Sequence, residues 1–348
     1  MRDLYSPHEP ALQVVYQEIE RYAISQRTVF VGTPGSLTKR RNAQNYAFYT
    51  RQYYDGGGNK REGYVSGPVG DPAADAEAAQ LKLRITEAAD VVARVRLLGR
   101  NGYALADART QATAAVLHNV RLFDAGAVLV GSHAFGVLLN KVGVRAAPYV
   151  TEDVDIARPS ALALPRIERR LIDVLMDSGF EFVEVPGLPS TKAPTSYKEK
   201  GRSRFHVDLL VPSKAGTFPI VPIPELKAHA QGLPHLDYLL DDTQTAALLA
   251  REGVAAVRVP TAERFALHKL LVSQLRRGRD AKVDRDLHQS AILLAALADK
   301  HPGAIEAAAA ALPRAVYRYV RRARAALRAH LPASCARAWE TLDALPSR

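Results

Sequence analysis

Residues 125–136 are AGAVLVGSHAFG and residues 153–157 are DVDIA, and these two stretches decide the fold. The first opens with a short apolar run that is typical of a buried strand and reaches a tight turn at Gly131 and Ser132. The apolar letters AFGVLLNKV after the turn predict a helix, and DVDIA predicts a second strand. The sequence therefore predicts a strand, a turn and a helix, followed by a further strand of the same sheet.

These stretches carry residue types that suit phosphate and cation chemistry. Asp153 and Asp155 project from one face of a strand, and two carboxylates so close repel each other unless a cation lies between them. Gly131 permits a close backbone approach, and Ser132 offers a hydroxyl and an amide to a phosphate oxygen. A chance D-x-D pair beside an ordinary strand-to-helix turn is the alternative interpretation.

Further apolar and alternating runs predict an α+β fold, with one mixed sheet flanked by helices. After Pro260 the pattern is helical to the end of the chain. The later strands are predicted in EFVEVP (181–186), FHVDLLVP (205–212), FPIVPIP (218–224) and VAAVRVP (254–260).

The region before the sheet has two kinds of sequence pattern. Apolar residues at helical spacing predict an amphipathic helix at 11–26, whereas aromatic strand-like runs on either side of Gly56–Gly58 predict a basic β-hairpin. Asp71 and Pro72 begin a helix that reaches about residue 99, and another helix is predicted at about 105–121. We expect an N-terminal helix at 1–27, a basic aromatic β element at 28–70, a helical linker region at 71–124, a core at 125–260 and a helical C-terminal subdomain at 261–348.

Two motifs carry a resemblance to a known superfamily. GSHAFG followed by DVDIA resembles the G-S and D-x-D signature of the nucleotidyltransferases, which have a DNA polymerase β-like fold. PTAERFALHKLLVSQLRRGRDAKVDRDLHQ resembles the lysine-bearing helix pair of their bacterial AbiEii/MenT-like branch, so the similarity spans about residues 125–298. The spacer between Ser132 and Asp153 is longer than in the usual signature, and we interpret NKVGVRAAPYVT within it as an inserted loop over the nucleotide.

The resemblance implies roles for particular side chains. Asp208 matches the third metal carboxylate, so that Asp153, Asp155 and Asp208 would hold Mg²⁺ or Mn²⁺ and Gly131 and Ser132 would bind an NTP. Lys269 would pair with the triphosphate, and Asp286, with help from Gln289, would orient Lys269 or the metal site. The alternatives are a solvent-facing strand aspartate and an exposed helix lysine. His133 and His268, which flank proposed site residues, are further candidates for ligand contact.

The charge of the chain favours a polyanionic partner. The formal net charge is +11, from 47 Lys and Arg against 36 Asp and Glu, although arginine-rich surfaces also arise from high-GC genomes. Arginines at 314, 318, 321 and 328 follow one face of a tail helix, where a solvated surface is the alternative. In the β element, cationic and aromatic side chains suited to phosphate contact and base stacking include Lys39, Arg40, Arg41, Tyr49, Arg51 and Tyr53, with packing against helices as the alternative.

These observations predict a metal-dependent enzyme that moves an NMP from an NTP to an acceptor. The favoured acceptor is RNA, including the 3′ end of tRNA as in some AbiEii-like toxins, and an antitoxin would then be a partner. A protein hydroxyl is the alternative acceptor, and a non-catalytic RNA-binding module on a degenerate transferase fold is the alternative class. The single cysteine excludes an intramolecular disulfide, and the polar start of the chain with no long apolar run predicts a cytoplasmic protein without a membrane span.

Overall fold

The computed structural model describes residues 4–147, 151–159, 169–187, 189–276 and 280–345. The fold is mixed α/β, with a mixed sheet surrounded by helices, as the sequence predicts.

The N-terminal region contains one helix and a small sheet. The predicted hairpin is present, but a third strand joins it through antiparallel pairing, and its polar sequence SLTKRR gave no strand signal. Asp55 forms the turn of the hairpin by accepting hydrogen bonds from the backbone of Gly57 and Asn59 at 3.0 and 2.8 Å. The elements are β1 (Ser6–Pro7), α1 (Pro10–Ser25), β2 (Ser36–Arg41), β3 (Ala47–Tyr54) and β4 (Lys60–Ser66).

Two capped helices lead to the central sheet. α2 (Pro72–Arg100) begins at Asp71, whose carboxylate accepts from two backbone amides of the first turn. α3 (Ala108–Asn119) begins in the same way at Asp107. An aspartate cap satisfies amides that have no partner within the helix, which explains why both helices start where the sequence predicts or close to it.

The central sheet has seven strands within the described residues, in the order β11-β12-β10-β7-β5, with β8 and β9 joined to β10 at one side. β10 runs parallel to β7 and β12, and β5 runs antiparallel to β7. The elements of this region are β5 (Val128–Val130), α4 (Gly131–Val142), β6 (Val144–Arg145), β7 (Asp153–Ala157), α5 (Leu171–Met176), β8 (Phe182–Glu184), β9 (Ser196–Glu199), β10 (His206–Ser213), β11 (Ile220–Ile223) and β12 (Ala228–Pro234).

The long spacer after Ser132 is only partly a loop. Its residues 140–142 complete α4, and β6 pairs with β1 near the N-terminus of the chain. The interpretation of NKVGVRAAPYVT as one inserted loop is therefore wrong for its first half, and residues 148–150 lie outside the described part of the chain.

VAAVRVP does form a strand, but it does not join the central sheet. After α6 (Leu236–Leu240), β13 (Thr243–Leu249) and β14 (Val254–Pro260) form an antiparallel two-stranded sheet. The prediction of one continuous sheet is wrong here, because β13, which directly precedes β14 in sequence, takes up the pairing of β14.

The remainder of the chain is helical, as predicted. Thr261 stands at the start of the first of these helices, where threonine is a favoured cap, but its side chain makes no capping hydrogen bond. The helices are α7 (Ala262–Leu275), α8 (Asp280–Lys300), α9 (Ala304–Ala310), α10 (Tyr317–Leu327) and α11 (Ala336–Ala344).

The apolar side chains form a large core and a smaller one. The large core joins the central sheet to α3, α4 and the C-terminal helices, and α7 packs closely on α8. The smaller core lies between α1, α2 and the β13–β14 sheet, around Tyr16, Ile19 and Leu98. Among the described helices, none combines the length and the apolar character needed to cross a membrane.

Candidate active site

The turn between β5 and α4 lies directly against the Asp155 carboxylate. Gly131 has a φ of +72°, a conformation that favours glycine, and a Cβ at this position would overlap Asp155 Oδ2 and lie 3.1 Å from its Cγ. Val130 pairs with Asp155 across β5 and β7. Glycine is therefore required at position 131 both by the backbone and by the neighbouring carboxylate.

Asp155 and Asp208 are direct cross-strand neighbours. The parallel register of β7 and β10 pairs Asp155 with Asp208, and the alternation that buries Val154, Val207 and Leu209 turns both carboxylates to the other face. Burial, and after it the charge of Asp208, raises the pKa of Asp155 to about 6. The charge of the Asp208 carboxylate thus disfavours ionisation of Asp155.

His206 links the remaining carboxylate, Asp153, to Asp208. Its Nδ1 lies 3.5 Å from Asp153 Oδ1 and its Nε2 lies 3.4 Å from Asp208 Oδ2. The hydrogen bond with Asp208 is the largest cause that raises the pKa of His206, to about 9, so the ring is a cation at neutral pH. Sequence reasoning missed this residue, although its position two residues before Asp208 on the same strand predicts the same face.

Asp153, Asp155 and Asp208, here termed the carboxylate cluster, have the chemistry of a divalent-cation site. Carboxylate oxygens are the preferred donors for Mg²⁺ and Mn²⁺. Burial is the first cause that raises the pKa of Asp155 and the negative charge of Asp208 is the second, and a cation would offset that charge. Within the described residues, no three acidic, histidine or cysteine side chains are already arranged to enclose a metal ion. The ring of His206 lies between two of the three carboxylates and supplies part of the countercharge.

A buried ion cluster on α7 and α8 supplies cations beside the carboxylates. Asp286 Oδ1 accepts from Lys269 Nζ at 2.7 Å, and Asp286 Oδ2 accepts from Arg276 Nε at 2.6 Å. Lys269 and Arg276 together hold the pKa of Asp286 below its usual value against the effect of burial, and the Lys269 charge also lowers the pKa of Asp155. The structure therefore brings together Lys269 and Asp286 and adds Arg276, which sequence reasoning missed.

α8 also reaches the turn at Ser132. Gln289, one turn after Asp286, is fully buried and donates from Nε2 to Ser132 Oγ at 3.3 Å. Ser132 is the second residue of α4, so its hydroxyl and backbone amide lie at the positive end of that helix. Gln289 was expected only to assist Asp286, and the structure places its side chain in contact with Ser132.

The two candidate histidines have different surroundings. His133 Nε2 lies 3.2 Å from Thr110 Oγ1, and the Thr110 hydroxyl donates to Asp107 Oδ2 at 2.7 Å. Burial lowers the pKa of His133, and the charges of Asp107 and Asp153 partly oppose this. His268 is buried, and burial lowers its pKa to about 3, so it is a neutral core residue beside Lys269.

Several of the predicted nucleic-acid contacts have partners within the β element. Arg51 lies between the rings of Phe30 and Tyr53, at 4.2 and 4.1 Å from their centroids, and donates to two backbone carbonyls at 2.7 and 2.9 Å. Tyr49 is buried and its hydroxyl donates to Asp75 on α2 at 2.9 Å. These three side chains, Tyr49, Arg51 and Tyr53, stabilise the sheet.

The other cationic candidates lie nearer the surface. Arg40 forms a two-pronged ion pair with Glu62 at 2.9 and 3.1 Å, and Arg41 donates to Asn45. Lys39 lies over the Tyr49 ring at 5.5 Å. Nucleic-acid binding by this sheet stays a prediction, carried by Lys39 and Arg41 more than by Arg40.

The fold and the site define a class of protein in which a glycine-serine turn at the start of a helix faces carboxylates on adjacent strands of a mixed sheet. A family model described as Nucleotidyltransferase matches residues 108–313, which is more than half of the chain, and the chain belongs to this family. The match includes every residue of the carboxylate cluster, the turn and the α7–α8 ion cluster. No match to a curated protein or to a solved structure was found. Membership supports transfer of an NMP from an NTP in general.

Proposed function

We propose that this protein transfers a nucleoside monophosphate from an NTP to the 3′ end of an RNA, in a reaction that depends on Mg²⁺ or Mn²⁺. The observation that carries this proposal is the direct pairing of Asp155 with Asp208 next to the Gly131–Ser132 turn. An acidic pair of this kind beside a helix N-terminus would suit both a divalent cation and the phosphates of an NTP.

Asp153, Asp155 and Asp208 would hold the divalent cation. When bound, it neutralises the charge that develops on the phosphate during transfer. The cationic ring of His206, which lies between Asp153 and Asp208, would balance part of the charge of these carboxylates.

Ser132 and the first amides of α4 bind the triphosphate. Gln289 donates to Ser132 Oγ, which leaves the Ser132 hydroxyl proton free to point at a phosphate oxygen. Lys269 and Arg276 neutralise the charge of the leaving pyrophosphate, and Asp286 positions both of these side chains before the nucleotide binds.

The transfer itself is a displacement at the α-phosphorus. The acceptor hydroxyl oxygen forms a bond to this phosphorus, the bond to the bridging oxygen of the β-phosphate breaks, and pyrophosphate leaves. Asp208 accepts the proton of the attacking hydroxyl, since its half-buried carboxylate stands beside Asp155 on the polar face of the sheet.

RNA is the acceptor that the charge favours, since a net charge of +11 attracts a phosphate backbone. The resemblance to the AbiEii/MenT-like branch supports the 3′ end of tRNA, a role as a toxin and an antitoxin as partner. The alternative acceptor is a protein hydroxyl. The presence of all three carboxylates argues against a non-catalytic RNA-binding module.

A labelling experiment tests this proposal. The protein is incubated with each of the four NTPs labelled at the α-phosphate, with Mg²⁺ or Mn²⁺, and with either total RNA or total protein. We expect label in RNA for the wild type and none for Asp155→Asn, while Asp237→Asn, an exposed aspartate of α6, serves as the matched control with wild-type transfer. Label in protein alone would replace the RNA acceptor with the protein acceptor, and label that survives in Asp155→Asn would refute the mechanism.

A further inference from the structure

A large cavity lies beside the candidate active site. It has a volume of about 1010 Å³ and follows α4, between the start of the chain, the α2–α3 connection, β6 and the β13–β14 turn. Ser132 and His133 belong to its wall, so it adjoins the turn that faces the carboxylate cluster. We call it the α4 cavity. Its volume is at the upper end of the range for sites that enclose small ligands.

Two arginines give the α4 cavity a positive rim. Arg145 from β6 and Arg251 from the β13–β14 turn both line it and are exposed, and neither guanidinium has an ion pair within the described part of the chain. Of the two acidic residues in the wall, Asp107 already accepts hydrogen bonds from the first turn of α3 and from Thr110. Glu252 alone opposes the two arginines, so the rim suits an anion such as a phosphate.

The interior of the α4 cavity is mostly apolar. Leu105, Phe135 and Val144 contribute side chains, which suit the faces of a base and a sugar. Tyr103 also lines it and is 3% exposed, and its hydroxyl has no hydrogen-bond partner in the described structure.

His133 connects the cavity to the reaction centre. Because the Thr110 hydroxyl donates its proton to Asp107, its oxygen accepts from His133, so the His133 proton is on Nε2. His133 Nδ1 is then an acceptor of hydrogen bonds, suited to orienting a hydroxyl that enters from the cavity before its proton passes to Asp208 in the transfer step.

From these features we infer that the α4 cavity binds the acceptor as a ribonucleotide unit with a free 3′-hydroxyl, with its phosphate at Arg145 and Arg251 and its hydroxyl directed to His133. This inference rests on the proposed function, and it adds the place at which the acceptor enters the active site. The same unit occurs at the end of an RNA chain and in a free ribonucleotide, and the experiment separates the two.

Equilibrium binding of a fluorescent 12-nucleotide RNA with a 3′-hydroxyl tests the inference. The test variants are the charge reversal R145E/R251E and Ala147→Trp, which places a large side chain at an exposed position of the wall. The matched control is K214E/R322E, which changes the net charge equally at exposed positions that do not line the cavity. We expect both test variants to weaken RNA binding by at least about tenfold, a change of about 1.4 kcal/mol, with NTP binding unchanged.

A second arm tests the end of the ligand. RNA that ends in a 3′-phosphate should compete weakly, and a photoreactive uridine at the 3′ end should cross-link within residues 99–108 or 132–147. If free ribonucleoside monophosphates compete as strongly as the RNA does, the cavity binds the same ribonucleotide unit, and the source of that unit is a small molecule. Unchanged RNA binding in both test variants, or equal weakening in the control, would overturn the inference. These binding results stand whether or not label is transferred, so failure of the cavity and failure of the proposed reaction are distinguishable.

Discussion

At the scale of single residues, Gly131 provides a sharp test of the site geometry. We expect Gly131→Ala to reduce NMP transfer by about 100-fold or more, because the added methyl group would displace the Asp155 carboxylate and a misplacement of about 1 Å has effects of that size. The measurement is the initial rate of label transfer. Gly216→Ala is the matched control, since Gly216 has a φ of +77° but has nothing within 4 Å of an added Cβ. Equal loss in both variants would assign the effect to backbone strain instead.

Arg276 yields a second prediction at this scale. Its bond to Asp286 places it next to Lys269, and we expect Arg276→Gln to raise the KM for NTP by about tenfold through loss of one charge-assisted contact. Steady-state kinetics measure this effect, with the exposed Arg328→Gln as control. An unchanged KM would show that Arg276 stabilises Asp286 and does not contribute to NTP binding.

His268 makes stability depend on pH. Its pKa is about 3 in the folded protein against an ordinary value of 6.5, so the unfolded state binds more protons between these values and stability falls as pH falls below about 6.5. From pH 7 to pH 5, the wild type should lose about 2 kcal/mol more unfolding free energy than His268→Gln. Denaturant unfolding at both pH values measures the difference. Identical losses in the two proteins would show that His268 takes up a proton without unfolding.

At the scale of elements, the β2–β3–β4 sheet depends on the guanidinium of Arg51, which the sequence suggested as a nucleic-acid contact. Arg51→Lys should lower the unfolding free energy by about 1 to 2 kcal/mol, because an ammonium group cannot stack between two rings and reach both carbonyls. Lys39→Gln on the same sheet should leave stability within about 0.5 kcal/mol of the wild type. Thermal or denaturant unfolding provides the comparison, and equal stability of the two variants would contradict the structural role of Arg51.

The elements that the sequence predicted are those with strong local patterns. DVDIA and FHVDLLVP alternate cleanly, and the two aspartate caps mark α2 and α3. β12 was missed because AHAQGLP contains Gly, Pro and polar residues that are unusual in strands, and its pairing with β10 supplies the stability. β14 was predicted as a strand but placed in the wrong sheet, because pairing partners depend on contacts that no local pattern contains.

The site shows the same division between local and long-range information. Alternation alone places Asp155 and Asp208 each on a strand face, whereas their direct pairing follows from the parallel register. Arg276 and His206 were missed because each acts through a partner, Asp286 or Asp208, that only the folded chain brings close. The roles of all these residues in transfer stay predictions.

At the scale of the whole molecule, helices from the C-terminal region complete a site that the central sheet begins. α8 provides Asp286 and Gln289, and Gln289 reaches Ser132 across 157 positions of sequence. The family match from 108 to 313 includes both parts, which indicates that the sheet and these helices form one functional unit. The N-terminal region adds part of the wall of the α4 cavity and the basic sheet. We propose that these two features select the acceptor.

The central claim is NMP transfer at the carboxylate cluster, and the fate of two labels tests it most directly. The same NTP is supplied with label at either the α- or the γ-phosphate, and the acceptor and the released products are analysed for the wild type and Asp155→Asn. We predict that α label enters the acceptor, that γ label leaves in pyrophosphate, and that Asp155→Asn does neither. Entry of γ label into the acceptor, or α transfer that persists in Asp155→Asn, would contradict the claim.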